Sequence, residues 1–140
     1  MEYKIKKING NIFADDRGFV RFVNEFDFNG VKRFYQVENH EKGFIRAWHG
    51  HNKEAKYVYV SKGSALIGAV NLKTEEVTKH TLTNKLPSVL YIPPGFANGF
   101  MTLEEDTILM FFSTSTLSES HGDDIRFSYD KWNIWEKQYR

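Results

Sequence analysis

The segment Lys56-Tyr57-Val58-Tyr59-Val60-Ser61-Lys62-Gly63-Ser64-Ala65-Leu66-Ile67 decides the fold class. Its first five residues alternate with the period-two pattern of a half-buried strand. Ser61 to Ser64 supply a turn with a glycine, and an apolar run resumes at Ala65, so the segment predicts a β-hairpin. The same pattern extends in both directions along the chain. Strand-like runs cover Gly18–Val23, Val31–Val37, Phe44–Trp48, Ala65–Asn71, Val77–Leu82, Ser88–Ile92, Gly99–Leu103 and Thr107–Ser113. Turn signals separate them: Asn29-Gly30, Asn84-Lys85, Pro93-Pro94-Gly95 and Glu104-Glu105-Asp106. About nine short strands with short loops predict an all-β sandwich or barrel. Helical periodicity is absent before residue 128, and Tyr129–Tyr139 reads as one helical turn or a last extended segment. No linker, fixed-period repeat or low-complexity tract interrupts the chain, so one domain over residues 1–140 is expected.

Composition narrows the function classes. The 140 residues carry 19 Lys and Arg against 18 Asp and Glu, which disfavours nucleic acid or a polybasic membrane contact as partner. With no cysteine there is no disulfide, thiolate metal site or cysteine nucleophile. No apolar run approaches the roughly 20 residues of a membrane helix, and MEYKIKKING lacks a signal-peptide core, so a cytoplasmic protein is expected. Aromatic residues reach 16%, a content that suits strands and ligand-stacking surfaces.

Ionisable residues cluster. In Gly43-Phe44-Ile45-Arg46-Ala47-Trp48-His49-Gly50-His51 the two imidazoles stand at i and i+2, on one face of a strand. Lys56 shares its register with Val58 and Val60, which predicts an inward-facing ammonium. Strict alternation puts Arg46 and His49 on opposite faces, so a bulge or strand end is required if both serve one site. About forty residues later, Leu90-Tyr91-Ile92-Pro93-Pro94-Gly95-Phe96-Ala97-Asn98-Gly99-Phe100 ends a strand at a proline-glycine corner.

Gly43, His49-x-His51 and then Pro93-Pro94-Gly95 resemble the two-part motif of cupins, small β-barrels of the jelly-roll, double-stranded β-helix type. Where metal-binding cupins place a Glu and a last His, this chain has Lys56 and Asn98; an ammonium repels a divalent ion, so neither a metal nor another cofactor is expected. Lys56 in that role resembles the metal-free cupins that act on nucleotide-linked sugars. Asp16-Arg17-Gly18-Phe19, Gln36-Val37-Glu38-Asn39-His40, Arg46-Ala47-Trp48-His49, Lys56 and Leu90–Phe100 are similar, in order, to segments of the dTDP-4-dehydrorhamnose 3,5-epimerases. The Tyr that serves that family as acid is missing around Phe111-Phe112-Ser113-Thr114-Ser115-Thr116, and Phe22 or Val23 replaces its early Glu. Val31-Lys32-Arg33-Phe34-Tyr35 and His49-Gly50-His51-Asn52-Lys53 also resemble the dTDP-6-deoxyhexulose 3,4-ketoisomerases, in which two imidazoles move a proton between adjacent carbons.

The resemblance implies a nucleotide sugar, a dTDP-4-keto-6-deoxyhexose, as the substrate partner and a homodimer as the assembly. It implies proton removal α to the ketone, with His49 as base, Lys56 stabilising the enolate, His51 shuttling the proton or orienting His49, and the late Asp130 orienting a His. Arg17 and Arg46 would grip the diphosphate, while Arg33, Tyr35, Gln36, Asn39 and Asn98 would line the substrate site. Three readings stay open: a 3,5-epimerase, a 3,4-ketoisomerase, and a catalytically silent nucleotide-sugar-binding cupin.

Overall fold

In the computed structural model, which describes residues 3–140, two five-stranded antiparallel sheets pack face to face. The strands in chain order are β1 (Lys6–Asn9), β2 (Asn11–Asp15), β3 (Gly18–Phe22), β4 (Arg33–Glu38), β5 (Ile45–His51), β6 (Lys56–Lys62), β7 (Ser64–Asn71), β8 (Val77–Thr83), β9 (Ser88–Ile92), β10 (Phe96–Thr102), β11 (Ile108–Ser113) and β12 (Ile125–Arg126). The first sheet runs β1-β9-β6-β11-β4 and the second β12-β5-β10-β7-β8. This is the jelly-roll barrel that the cupin motif implied. β2 and β3 form a separate hairpin with Phe13, Phe19 and Val20 exposed.

Nine strands fall on the runs read from the sequence. The additions are short: β1, β2, β12 and one helical turn, α1 (Leu117–His121). The last stretch, 129–139, is neither helix nor strand. It lies as an aromatic strap over the outer face of the second sheet, where Trp132, Ile134 and Trp135 pack with Trp48 and Val70. The indoles of Trp48 and Trp135 both donate to the carbonyl of Tyr129, each at 3.1 Å. The strap therefore clamps β5 from behind.

Between the sheets lies the main core of Val58, Val60, Ile67, Leu90, Ile92, Phe96, Phe100, Leu109 and Phe111. Lys56 follows Val58 and Val60 inward, as its register predicted, and is 8% exposed. The bulge that Arg46 and His49 require is present. Asn98 pairs with His49 and Phe100 with Arg46, so Ala47 and Trp48 together oppose Gly99. Gly99 is obligatory at that crossing, because a Cβ there would stand 2.5 Å from Ala47 Cβ and 3.1 Å from the Arg46 carbonyl oxygen. Gly99→Ala is expected to destabilise the fold by ~1–3 kcal/mol, an overpacking cost, read as a lowered denaturant midpoint at unchanged slope.

Candidate active site

One end of the barrel stays open between the sheets. There Arg46 and His49 of β5 and Asn98 and Phe100 of β10 face Tyr35 and Val37 of β4, Lys56 of β6 and Phe111 of β11. They enclose a cavity of about 200 Å³. Its floor is aromatic, with Tyr35 and Phe111 stacked at 5.1 Å between ring centroids and 7° between planes. Its polar groups are one imidazole, one ammonium, one guanidinium, one amide and one phenol.

His49 is held from the side by the last strand. β12 pairs with β5, placing Arg126 opposite His49, and Asp124 just ahead of β12 puts Oδ1 4.0 Å from His49 Nδ1. Arg126 Nε donates to the other oxygen of Asp124 at 2.8 Å. Burial pushes the His49 pKa below 6.5, the positive charges of Arg126 and Lys56 push it the same way, and Asp124 opposes them. Burial works to raise the Asp124 carboxyl, but the Arg126 hydrogen bond and the charges of Arg126 and His49 hold it below its usual value. At neutral pH the imidazole is unprotonated beside an ionised carboxylate, which suits a base.

His51 shares the face of His49 but does not line the cavity. Its Nδ1 bonds the carbonyl oxygen of Asp123 at 2.8 Å, and its Nε2 lies 4.0 Å from Glu54 Oε2, deep in the barrel end. Glu54 is 2% exposed and sits among three cationic or protonatable groups: Lys56 Nζ at 3.7 Å, Arg33 Nη2 at 3.9 Å and that imidazole. Neither Glu54 oxygen has a hydrogen-bond partner among the described residues. A buried carboxylate in this position compensates the buried ammonium and holds it at the cavity wall. Asp123 closes the arrangement by accepting the backbone N–H groups of Asn52, Lys53 and Glu54 at 2.8–3.0 Å.

The structure thus brings together His49, Lys56, Arg46, Asn98 and Tyr35, and sets Arg33 and Asn39 just behind them. Asn39 Oδ1 accepts from Arg46 Nε at 2.6 Å and aims the guanidinium. The Arg33 guanidinium lies 5.0 Å from the centroid of the Tyr35 ring. Three expected residues are elsewhere. Gln36 points to the outer face of β4 and donates to Glu38, because alternation there turns Tyr35 and Val37 inward. Arg17 sits at the tip of the β2–β3 hairpin, paired with Asp15 and 83% exposed. Asp130 is an exposed turn residue bonded to Ser128, and the carboxylate that faces His49 is Asp124. Sequence reasoning missed Glu54, Asp123 and Asp124. Their signals were an acid between His51 and Lys56, and a pair of aspartates leading into Ile125-Arg126-Phe127.

A cupin barrel with a depressed imidazole, a buried ammonium and a guanidinium around one small cavity is a cupin equipped for acid–base chemistry. The profile of the dTDP-4-dehydrorhamnose 3,5-epimerase family matches residues 4–138, and the chain belongs to that family. It is 27% identical to the spore coat polysaccharide biosynthesis protein SpsL of Bacillus subtilis, over 98% of this chain and 97% of that protein. To the dTDP-4-dehydrorhamnose 3,5-epimerase of Salmonella typhimurium it is 31% identical, over 81% of this chain and 70% of that one. Among solved structures, the 3,5-epimerase of Sulfolobus tokodaii superposes with a TM-score of 0.77 at 28% identity, covering 95% and 86% of the two chains. The 3,4-ketoisomerase QdtA of Thermoanaerobacterium thermosaccharolyticum, solved with TDP, shares the fold with a TM-score of 0.72 at 24% identity, covering 93% and 92%.

Proposed function

We propose that the protein epimerises a dTDP-4-keto-6-deoxyhexose through proton removal by His49. The observation that carries this reading is the convergence of His49, Lys56 and Arg46 on one cavity of about 200 Å³. That volume falls below the roughly 300–1,000 Å³ of ordinary ligand pockets, so it suits the hexose ring alone. The nucleotide then lies outside, across Arg46, which also borders a second groove of about 330 Å³ with Asn39 and Phe44. A guanidinium between a sugar cavity and an outer groove is well placed for the diphosphate.

In this reading His49 takes the proton from the carbon next to the ketone. Nδ1 faces Asp124, which leaves Nε2 for the substrate, and the imidazolium that forms gains an ion pair. Lys56 faces the ketone oxygen and stabilises the enolate. His51 is a positioning residue, tied to Asp123 and Glu54. The epimerase is favoured over the ketoisomerase because a two-imidazole shuttle needs His51 at the substrate, and His51 does not line the cavity. Working on a doubly charged sugar nucleotide, which does not cross membranes unaided, the protein belongs in the cytoplasm. No helix among the described residues is long and apolar enough to cross a membrane.

The protein assembles as a homodimer. Support comes from the protruding β2–β3 hairpin, whose exposed Phe13, Phe19 and Val20 lack cover within the chain, and from exposed Phe28 and Phe34. Pairing would cover these rings and carry Arg17 away from its own barrel toward the other. Light scattering that finds a monomer at micromolar concentration would contradict this.

Incubation with dTDP-4-keto-6-deoxyglucose in D₂O tests the reading by NMR. Deuterium at C3 and C5 with the ketone kept at C4 is the epimerase result. Exchange at C3 with the ketone moved to C3 is the ketoisomerase, and tight binding without exchange is the silent cupin. The acid limb of the rate profile is expected below pH 6.5, since the depressed His49 pKa keeps the base neutral until the pH falls through it. Asp124→Asn removes the charge that raises this pKa, so the limb moves to still lower pH. The plateau rate falls by less than about tenfold, as a partly exposed ion pair contributes ~0.2–1 kcal/mol.

A further inference from the structure

Epimerisation inverts a carbon, so the proton must leave from one face of the enolate and return to the other. The base and the acid therefore belong on opposite walls of the cavity. His49 comes from the second sheet. The first sheet contributes Tyr35, Val37, Lys56 and Phe111, and of these only Tyr35 and Lys56 carry a proton to give. Lys56 is committed to Glu54 at 3.7 Å and is the cation for the enolate oxygen. Among the described residues Tyr35, by contrast, is held through its ring, by the Phe111 stack and the nearby cations, which leaves the phenolic O–H for substrate.

The register is informative. β11 pairs with β4 so that Phe111 stands directly opposite Tyr35, and the two rings are stacked nearly parallel. A phenol that β11 lacks is thus present one strand over, on the same wall and at the same level of the barrel. Arg33 Cζ lies 5.0 Å and Lys56 Nζ 5.8 Å from the Tyr35 ring centroid, so negative charge delocalised over a phenolate ring has two cations within 6 Å of its centre.

We propose that Tyr35 is the acid of this enzyme, giving its phenolic proton to the enolate face turned away from His49. This rests on the epimerase reading above. His49 removes the proton, and the C–H electron pair moves into the enolate with its charge on the ketone oxygen. As the ketone re-forms, the enolate carbon takes the Tyr35 proton and its configuration inverts. The phenolate then regains a proton from water, and His49 returns its proton to water. No electrons are exchanged with any partner.

The test is Tyr35→Phe, followed by NMR in D₂O with dTDP-4-keto-6-deoxyglucose beside the unaltered protein and Tyr35→Phe/Phe111→Tyr. The expected result has three parts. Tyr35→Phe still washes deuterium into sugar of the starting configuration and still binds dTDP. Its rate of epimer formation drops about 10²–10⁴-fold, the range of a general acid. The double variant, with the phenol on β11, recovers epimer formation. Epimer formation at the unaltered rate in Tyr35→Phe overturns the proposal. So does a parallel loss of exchange, epimer and dTDP affinity, which assigns Tyr35 to binding alone. No exchange by the unaltered protein removes the epimerase reading itself, and the proposal with it.

Discussion

His49→Ala is expected to stop deuterium entry at both C3 and C5 of dTDP-4-keto-6-deoxyglucose, a loss of about 10²–10⁴-fold, while dTDP still binds. In the proposed function Arg46 and the outer groove hold the nucleotide independently of the imidazole, so binding and exchange should separate. The size of the effect follows from the cavity. Among its lining residues only His49 is a base left neutral at the working pH, since burial and the nearby cations lower its pKa. Asn98 Nδ2 donates to the His49 carbonyl at 3.3 Å and has no basic atom to substitute. A variant that exchanged at even a tenth of the normal rate would move the base elsewhere.

Lys56→Met should cost both activity and stability, by different mechanisms. The thioether keeps the length and packing of the side chain but removes the charge that opposes the enolate, for an expected loss of ~10²–10³ in kcat. It also strips Glu54 of its nearest cation, at 3.7 Å, leaving a buried carboxylate with Arg33 at 3.9 Å and a His51 whose pKa burial depresses. Breaking a buried pair costs on the order of 3–5 kcal/mol, and Arg33 should keep the loss toward the low end. Adding Glu54→Gln to Lys56→Met removes the unpaired charge. The double variant is therefore expected to regain most of the stability and none of the rate. Recovery of both would mean that Lys56 is structural.

Much of this was legible in the sequence because β-structure has a short period. Alternation at Lys56-Tyr57-Val58-Tyr59-Val60 placed the ammonium inside, and the same rule required a bulge if Arg46 and His49 were to share a site. What escaped was long-range. β12 is two residues long, too short for any period, and only its pairing with β5 brings Asp124 to His49. Asp130 rests on the family resemblance alone, and nothing local separates it from Asp123 and Asp124. The same tail hides its clamp, since Trp132 and Trp135 bury against Trp48 without regular structure. Gln36 went astray through a single step of register, which turned it outward and Tyr35 inward. The helical turn α1 had a local signal in Thr116-Leu117-Ser118-Glu119: a capping box in which Thr116 N donates to Glu119 Oε1 at 2.8 Å.

In the proposed function the small cavity between the sheets holds the sugar of a nucleotide sugar. Crystal structures with thymidine diphosphate and with a dTDP-hexose would locate it. The prediction is a hexose between His49 and Tyr35, with the diphosphate on Arg46 and the nucleoside outside the barrel. A larger concavity of about 710 Å³ lies beneath the C-terminal strap, lined by Leu66, Met101 and Trp135 and without an imidazole. Ligand found there, with the cavity at His49 left free of sugar, would move the substrate site away from His49.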